Sequence, residues 1–359
     1  MVSVLLLSFI ALAFCLVLTP LVRDVSFQLK LVDRPDGTRK LHTRIVPRTG
    51  GVAIGLAYAL TYFVASLLPS SVQDGHDLSL LYRLAPAAAV MFATGLLDDL
   101  IALRAHQKLI GQIAAATLAY TAGIRIMLVA GVNTGDWWSA PVTILWLVGC
   151  ANAFNLIDGV DGLAAGVGMV ATLTTFVAAW LHGNIPLALT TLPLAAALLG
   201  FLRFNFAPAT IFLGDSGSLL VGFLLGAYGV IWSQKSATLL GLTAPGMALA
   251  LPLVDVGVSV IRRFLRRRPI FSADRGHIHH RLLDAGLTPR MTTLTLYASC
   301  VAAACLSLLQ TLSDGRIAGL IVVLFAACSF LGIRVLRYDE FGAAFQFLRR
   351  DAFRHAVAT

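Results

Sequence analysis

Residues 139–181 read SAPVTILWLVGCANAFNLIDGVDGLAAGVGMVATLTTFVAAWL, in which two apolar runs are joined by a short polar segment. Each run is close to the roughly 20 residues that cross a bilayer as a helix. The segment between them carries Asn155, Asp158 and Asp161, with a glycine after each aspartate. Carboxylates at the edge of a hydrocarbon layer are costly and therefore usually functional. The stretch predicts two membrane helices with a functional polar turn between them.

The same alternation of apolar runs and polar turns continues along the whole chain. Of its 359 residues, 58% are hydrophobic and 13% are charged, and the mean hydropathy is +0.84. We therefore predict an all-α polytopic membrane protein with ten or eleven transmembrane helices, since the fourth and seventh runs are short. The runs are residues 3–22, 49–68, 81–97, 109–123, 139–157, 162–181, 186–202, 216–232, 239–261, 291–312 and 317–334.

The basic residues predict the orientation of these helices. Cytoplasmic loops of membrane proteins are enriched in Lys and Arg, which places the N-terminus outside and the C-terminus in the cytoplasm. All but four of the 27 Lys and Arg residues then lie on the cytoplasmic side. The four exceptions are Arg83, Arg125, Lys235 and Arg316. The net charge of +9 is explained by this bias and by attraction to anionic lipid or phosphate, without nucleic acid as a partner.

The domain organisation predicted from these patterns is simple. Residues 1–334 form a single transmembrane domain, and residues 335–359 form a basic amphipathic cytoplasmic tail. The first span has no basic residue before it and no cleavage pattern after it, which favours a retained anchor over a secretory signal. The five cysteines fall in apolar spans and form no Cys-x-x-Cys pair, so neither a zinc site nor a disulfide framework is predicted.

Acidic motifs lie at the cytoplasmic ends of several predicted helices. The adjacent pair Asp98-Asp99 ends the third span and could hold a divalent cation or act as a base. Residues 152–161 present Asn, Asn, Asp and Asp at every third position, a spacing that keeps neighbours close on a helix. Asp215 follows in a turn before the eighth span. Amide and carboxylate oxygens suit Mg²⁺, which shares its coordination with water and substrate phosphates.

Basic, aromatic and histidine side chains accompany these acids on the same predicted face. Lys108 opens the fourth span at the cytosolic rim, where it could hold a phosphate, and Phe212 could stack on a base. Three histidines fall within four residues of the longest inner loop, and they suit hydrogen bonding to a diphosphate or sugar better than zinc binding. They are His277, His279 and His280.

This one-sided distribution predicts an active site that opens to the cytosol. A transporter, the non-enzymatic alternative for a lipid phosphate or sugar, would place polar groups near the membrane midplane and expose them to both faces. Only Asp255, inside the ninth predicted span, comes close to that requirement.

Ordered motifs from Val32 to about Leu287 closely resemble the polyprenyl-phosphate N-acetylhexosamine-1-phosphate transferase superfamily, glycosyltransferase family 4. The loop Asp274-Arg-Gly-His-Ile-His-His280 is similar to that of the bacterial WecA and TagO branch, which uses UDP-GlcNAc. The other blocks are Asp33-Arg-Pro35, Arg39-Lys40-Leu-His42, Pro47-Arg-Thr-Gly50-Gly51, Leu97-Asp98-Asp99 with Lys108, Asn152 to Leu163, and Phe212-Leu-Gly-Asp215-Ser-Gly217.

The resemblance implies roles for individual residues. Mg²⁺ on the diphosphate, with Mn²⁺ as a substitute, would be held by Asn155 and Asp215. The catalytic residues would be Asp98, Asp99 and Lys108, of which Asp98 would activate or orient the lipid phosphate and Lys108 would bind phosphate. The substrate-binding residues would be Lys40, His42, Asp158, Asp161, Phe212, His277, His279 and His280. Among these, Asp158 and Phe212 would contact uracil, and the histidines would hold the diphosphate and sugar.

The resemblance also implies an activity. The chain would transfer N-acetylglucosamine 1-phosphate from UDP-GlcNAc to undecaprenyl phosphate in the bacterial inner membrane, release UMP, and so initiate a cell-envelope polysaccharide. Another UDP-N-acetylhexosamine or UDP-MurNAc-pentapeptide remains an alternative donor, and a homodimer is compatible with the pattern.

Overall fold

The structure is a computed structural model that describes residues 2–35, 44–67, 78–129, 132–133, 135–235, 243–265 and 276–335. Lys40, His42 and almost all of the predicted tail 335–359 lie outside these residues. The described helices are α1 (Val2–Gln28), α2 (Gly50–Leu67), α3 (Ser79–Ile101), α4 (Ala105–Thr121), α5 (Gly135–Ile157), α6 (Leu163–Leu181), α7 (Ile185–Asn205), α8 (Gly214–Lys235), α9 (Thr243–Ala248), α10 (Ala250–Leu265), α11 (Ile278–Asp284), α12 (Pro289–Leu312) and α13 (Gly315–Val335). Two short antiparallel hairpins pair β1 (Val32–Asp33) with β2 (Val46–Pro47) and β3 (Leu128–Val129) with β4 (Val132–Asn133).

Nine of the described helices are long and apolar enough to cross a membrane, which confirms the all-α polytopic fold. They are α1 to α3, α5 to α8, α12 and α13. The other two predicted spans differ from expectation. The fourth is α4, whose 17 residues correspond to about 26 Å of helix. The ninth is divided between α9 and α10, because Pro252 provides no N–H for the carbonyl of Ala248 and its ring crowds that turn.

The helices alternate in direction, and their ends converge at one end of the bundle. There the carboxyl ends of α3, α5 and α7 meet the amino ends of α4, α6 and α8. Helix α4 therefore runs away from this end, and α5 returns to it. Helices α9 and α10 together bring the chain back after α8.

Helix α8 is the centre of the bundle, and nearly all of its apolar window is buried. It packs against α2, α3, α5 and α6. A helix that is apolar on every side is stable only when it is surrounded, and α8 meets that condition. Its amino end, which carries Asp215, is held by contacts with α2 and α3.

Glycines permit the closest contacts at the amino end of α8. A Cβ atom on Gly51 would lie 2.0 Å from the backbone nitrogen of Gly217. A Cβ on Gly95 would lie 2.4 Å from the carbonyl oxygen of Asp215. Helices α2 and α3 can therefore approach the first turn of α8 only because both positions lack side chains. This packing brings Asp98 and Asp99 next to Asp215.

Candidate active site

Lys108 lies at the centre of the converging helix ends. Its Nζ atom is 2.8 Å from Asp98 Oδ2 and 2.7 Å from Asp215 Oδ2. It also donates a hydrogen bond of 3.3 Å to Asn155 Oδ1. One ammonium from α4 thus joins residues from α3, α5 and α8. Two of them, Asp98 and Asp215, are more than a hundred positions apart in the sequence. These four predicted site residues lie together, as the one-sided topology required.

Asn155 completes this centre and is fixed by the first turns of α8. Its Nδ2 atom donates to Asp215 Oδ1 and, at 3.0 Å, to Ser218 Oγ. Asn152, one turn earlier, instead exchanges hydrogen bonds with Gln112 of α4, at 2.8 and 3.2 Å. The series at every third residue is therefore divided: Asn155 faces the centre, whereas Asn152 joins two helices.

The adjacent aspartates 98 and 99 also have different surroundings. Asp98 Oδ1 accepts a hydrogen bond from the backbone N–H of Leu103 at 2.7 Å, while its other oxygen faces Lys108. Asp99 is buried, and its oxygens accept hydrogen bonds from the N–H groups of Asp215 and Ser216 at 2.8 and 2.9 Å. Helix amino ends favour such a carboxylate. Asp99 therefore holds the first turn of α8, and with it Asp215.

Arg48 lines the cavity described below, although the sequence motifs predicted no role for it. Its Nη2 atom donates a hydrogen bond of 2.6 Å to the carbonyl oxygen of Asp99. The neighbouring backbone is fixed, because Phe212 N donates to Pro47 O at 2.8 Å and Gly50 N donates to Phe212 O at 2.9 Å. The only signal in the sequence was a basic residue shortly before the Gly50-Gly51 pair.

A cavity of about 400 Å³ opens beside the Lys108 centre, within the size range of small-molecule sites. Predicted site residues on its wall are Asp99, Asp158, Asp161, Phe212, Asp215 and His280. The wall also includes Asp33, Arg48, Asn205 and Pro289, which had no predicted role. The acids, an arginine, a histidine and an aromatic ring therefore border one volume that is large enough for part of a nucleotide sugar.

The turn between α5 and α6 supplies two cavity aspartates with different constraints. Burial, together with the negative charges of Asp215 and Asp99, raises the pKa of Asp158 to about 8. Near pH 7 this carboxyl group is therefore largely protonated, and a cation bound beside it would favour its ionised form. Asp161 Oδ2 accepts a hydrogen bond from the backbone N–H of Ala209 at 2.9 Å, which ties this turn to the segment before α8.

The three histidines of the 277–280 segment occupy three different environments. His280 lines the cavity, whereas His277 and His279 are buried. A Cβ on Gly159 would lie 2.7 Å from His279 Nε2, so that ring packs on the cavity turn. Burial and the neighbouring His280 lower the pKa of His279 to about 3, so this imidazole is neutral near pH 7.

Oxygen donors that could hold a metal ion surround the Lys108 ammonium. They are the carboxylates of Asp98 and Asp215 and the amide oxygen of Asn155. Among the described residues, no group of three or more His, Cys, Asp or Glu side chains could by itself hold a metal ion. Because Mg²⁺ commonly takes only one or two protein carboxylates and completes its shell with water and phosphate oxygens, this donor set fits it.

Comparison with known proteins shows which protein family this chain is similar to. A model of glycosyl transferase family 4 matches residues 81–233. A Bacillus subtilis protein named as a probable undecaprenyl-phosphate N-acetylglucosaminyl 1-phosphate transferase is 35% identical over 303 residues, covering 83% of this chain and 82% of the relative. The decaprenyl-phosphate N-acetylglucosaminephosphotransferase of Mycobacterium leprae is 34% identical, with coverages of 78% and 76%. The undecaprenyl-phosphate alpha-N-acetylglucosaminyl 1-phosphate transferase of Escherichia coli K12 is 28% identical, with coverages of 86% and 84%.

Proposed function

The chain belongs to glycosyl transferase family 4, and from that premise we propose that it transfers N-acetylglucosamine 1-phosphate from UDP-GlcNAc to undecaprenyl phosphate and releases UMP. The observation that carries this proposal is the Lys108 centre, where one ammonium joins Asp98, Asp215 and Asn155 beside the cavity. The relatives are named for the same sugar phosphate and for polyprenyl phosphate acceptors. The product would be the first lipid-linked intermediate of a cell-envelope polysaccharide.

The reaction joins two anions, so it needs charge neutralisation and alignment more than covalent participation by the protein. An oxygen of the acceptor phosphate forms a bond to the β-phosphorus of the donor. The bond from that phosphorus to the oxygen bridging the two phosphates breaks, and UMP leaves with this oxygen. The site must therefore hold both phosphates close together while neutralising the charge that repels them.

Lys108 and Asp98 are the residues that we assign to the acceptor phosphate. The Lys108 ammonium can exchange one of its carboxylate contacts for a phosphate oxygen without leaving its position between α3 and α8. Asp98 lies 2.8 Å from that ammonium at the end of α3, where a lipid phosphate at the membrane surface would arrive. Asp98 can orient this phosphate through Lys108 and accept a proton from it.

Asn155 and Asp215 would hold Mg²⁺, because both offer oxygen atoms at the Lys108 centre and Asp215 also lines the cavity. When bound, Mg²⁺ would supply neutralisation of charge on the diphosphate. Asp99 supports this role indirectly, since its two hydrogen bonds to the first turn of α8 fix the position of Asp215. Mn²⁺ fits the same oxygen donors.

The remaining cavity residues are assigned to the donor. Asp158 can accept a hydrogen bond from a uracil N–H, and the Phe212 ring can stack on the base. Arg48 and His280 lie on the same wall and can donate hydrogen bonds to phosphate or sugar oxygens. The cavity lies at the end of the bundle that the basic residues predict to be cytoplasmic, where nucleotide sugars occur.

A transporter fits the structure less well than an enzyme does. Asp255, the acid that a midplane site would need, is bonded to His277 and to the backbone of Ile278. It therefore belongs to the same end of the bundle as the cavity. The described polar side chains that contact one another around Lys108 are likewise confined to that end.

A donor panel tests the proposed function. Membranes from cells that overproduce the protein are incubated with undecaprenyl phosphate and, separately, radiolabelled UDP-GlcNAc, UDP-GalNAc, UDP-glucose and UDP-MurNAc-pentapeptide. We expect lipid-extractable label with UDP-GlcNAc, and none above background in membranes that contain the Asp215→Ala variant at equal abundance. Preferential use of another donor would replace the sugar assignment, and no labelled lipid with any donor would overturn the activity.

A further inference from the structure

Asp255 and His277 form a buried pair behind the cavity wall. Asp255 is 2% exposed and His277 is 4% exposed. His277 Nδ1 lies 2.9 Å from Asp255 Oδ2, and the backbone N–H of Ile278 donates to Asp255 Oδ1 at 2.8 Å. One carboxylate thus binds both the imidazole and the first N–H of α11. A buried carboxylate is tolerated only with such partners.

A second residue on the same face of α10 binds Gly276, which directly precedes His277. Arg262, two turns after Asp255, donates from Nη1 to the carbonyl oxygen of Gly276 at 3.0 Å. Arg281 donates to that oxygen from Nε at 3.0 Å. A Cβ on Gly276 would overlap the Arg262 guanidinium, so a larger residue at this position would displace that side chain. Helix α10 therefore fixes the backbone on both sides of His277.

Ring contacts continue from this pair towards the cavity. The rings of His277 and His279 are parallel within 5°, with centroids 5.9 Å apart. The His279 and His280 centroids are 4.3 Å apart. His280 then lines the cavity, together with Asp158 and Asp161. The three histidines therefore form a continuous series that begins at Asp255 and ends at the cavity wall.

We propose that Asp255 is a positioning residue, which acts through His277 and the start of α11 to set the His280 imidazole against the donor. This assignment rests on the proposed function for the identity of the donor. It divides the histidines by role: His280 contacts substrate, whereas His277 and His279 support it from behind. The geometry also explains why a carboxylate is needed, because both of its oxygens accept from N–H donors.

The chemistry of the pair fixes which ring nitrogen of His277 carries a proton. A carboxylate can only accept, so the Nδ1 atom facing it must be protonated. Similar carboxylate contacts fix ring orientation behind ligand-binding histidines in other sites. An Asn at position 255 would turn a donor or a weaker acceptor towards the ring. It would thereby remove the preference for protonated Nδ1 while nearly preserving side-chain volume.

Steady-state kinetics test the positioning role. We expect Asp255→Asn to raise the KM for UDP-GlcNAc by about tenfold, the effect of losing one hydrogen bond to a charged group. The KM for polyprenyl phosphate should change by less than about twofold, since Asp98 and Lys108 are untouched. Asp284→Asn makes the same chemical change at an exposed residue of α11 and should leave both constants unchanged. A wild-type donor KM in Asp255→Asn would overturn the proposal.

A double variant separates positioning from general damage. If Asp255 acts through His277, adding Asp255→Asn to a His277→Gln protein should raise the donor KM by less than about twofold further. Independent effects would multiply instead, and that result would contradict the proposal. Membrane abundance is compared for every variant, so that loss of protein is not mistaken for loss of donor affinity.

Nitrogen-15 NMR of histidine-labelled protein provides a readout that does not depend on transfer. The His277 signals, identified by their loss in His277→Gln, should show a protonated Nδ1 in the wild type and a change of protonated nitrogen in Asp255→Asn. An unprotonated Nδ1 in the wild type would overturn the inference. If wild-type protein transfers no sugar phosphate, the proposed function fails, and the NMR result alone decides whether Asp255 fixes His277.

Discussion

Lys108→Met removes the ammonium that joins Asp98 to Asp215, and we expect it to lower transfer sharply while leaving the protein in the membrane. The ammonium makes contacts of 2.8 and 2.7 Å, and its side chain is only 16% exposed. The Asp98 and Asp215 side chains are 12% and 30% exposed. Water can therefore replace only part of the hydrogen bonding that the substitution removes. The carboxylates of Asp98 and Asp215 also lose the cation that they share.

The size of the effect follows from these contacts. A hydrogen bond to a charged group contributes about 1.5–3 kcal/mol, so losing two costs about 3–6 kcal/mol before water enters. Because Asp215 is partly exposed, we take the lower part of that range, about 3–4 kcal/mol. If the ammonium makes bonds of similar strength to the acceptor phosphate in the transition state, kcat/KM falls by about 10²–10³.

The assay measures radiolabelled lipid formed per unit of membrane-inserted protein, with acceptor concentration varied. Lys30→Met, the same change at an exposed residue, should retain wild-type activity. Lys108→Arg keeps the charge but not the compact geometry and should recover only part of the loss. A Lys108→Met enzyme with kcat/KM within threefold of the wild type would refute the assignment of the ammonium to phosphate.

Three further predictions concern the metal, pH and topology. Asp215→Ala should abolish transfer at normal membrane abundance, and excess chelator should abolish wild-type transfer; full activity in either case would contradict the metal assignment. The pKa of His279 is about 3 in the fold, against an ordinary value of 6.5 for histidine, so the stability linked to its neutral form is complete above pH 6.5 and is lost as pH falls towards 3. The apparent Tm of the wild type in detergent should therefore fall more between pH 7.5 and 5.5 than that of His279→Gln, and equal decreases would show that His279 is not responsible. In a cysteine-free background, Cys at Asp74 or Lys235 should react with an impermeant thiol reagent outside intact cells, whereas Cys at Arg104 should not; the opposite pattern would invert the orientation.

The sequence was most informative where membrane energetics leave few choices. Apolar runs must form helices in lipid, and the acids between them had to lie at helix ends. Those two constraints were enough to bring Asp98, Lys108, Asn155 and Asp215 to one end of the bundle.

The roles of adjacent polar residues could not be predicted in the same way. Asp98 and Asp99 are neighbours, yet one faces Lys108 and the other holds α8. Asn152 and Asn155 lie one turn apart, yet only Asn155 reaches the Lys108 centre. The difference depends on which helix packs against each face, and Gly51 and Gly95 determine that packing through contacts distant in sequence. Repeated spacing shows which residues share a helix face, not which neighbour each one meets.

The histidine segment shows the same limit. Three histidines within four residues predict a shared role, but burial separates them, and only His280 lines the cavity. The Asp255 partner of His277 lies 22 positions earlier, on α10, which is separated from α11 along the chain. Arg48 was missed because a single basic residue in a segment that is predicted to be cytoplasmic is also explained by membrane topology.

The fate of the β-phosphate tests the central claim most directly. Wild-type membranes are given undecaprenyl phosphate and UDP-GlcNAc labelled with phosphorus-32 at the β-phosphate, and the lipid and nucleotide fractions are separated. Transfer of sugar 1-phosphate at the Lys108 centre predicts that the label moves to the lipid, in equal amount to the sugar, and that the released nucleotide is unlabelled UMP. Label that stays in the nucleotide as UDP, while the sugar moves to the lipid, would contradict phosphoryl transfer and the roles proposed for Asp98, Lys108 and Asp215.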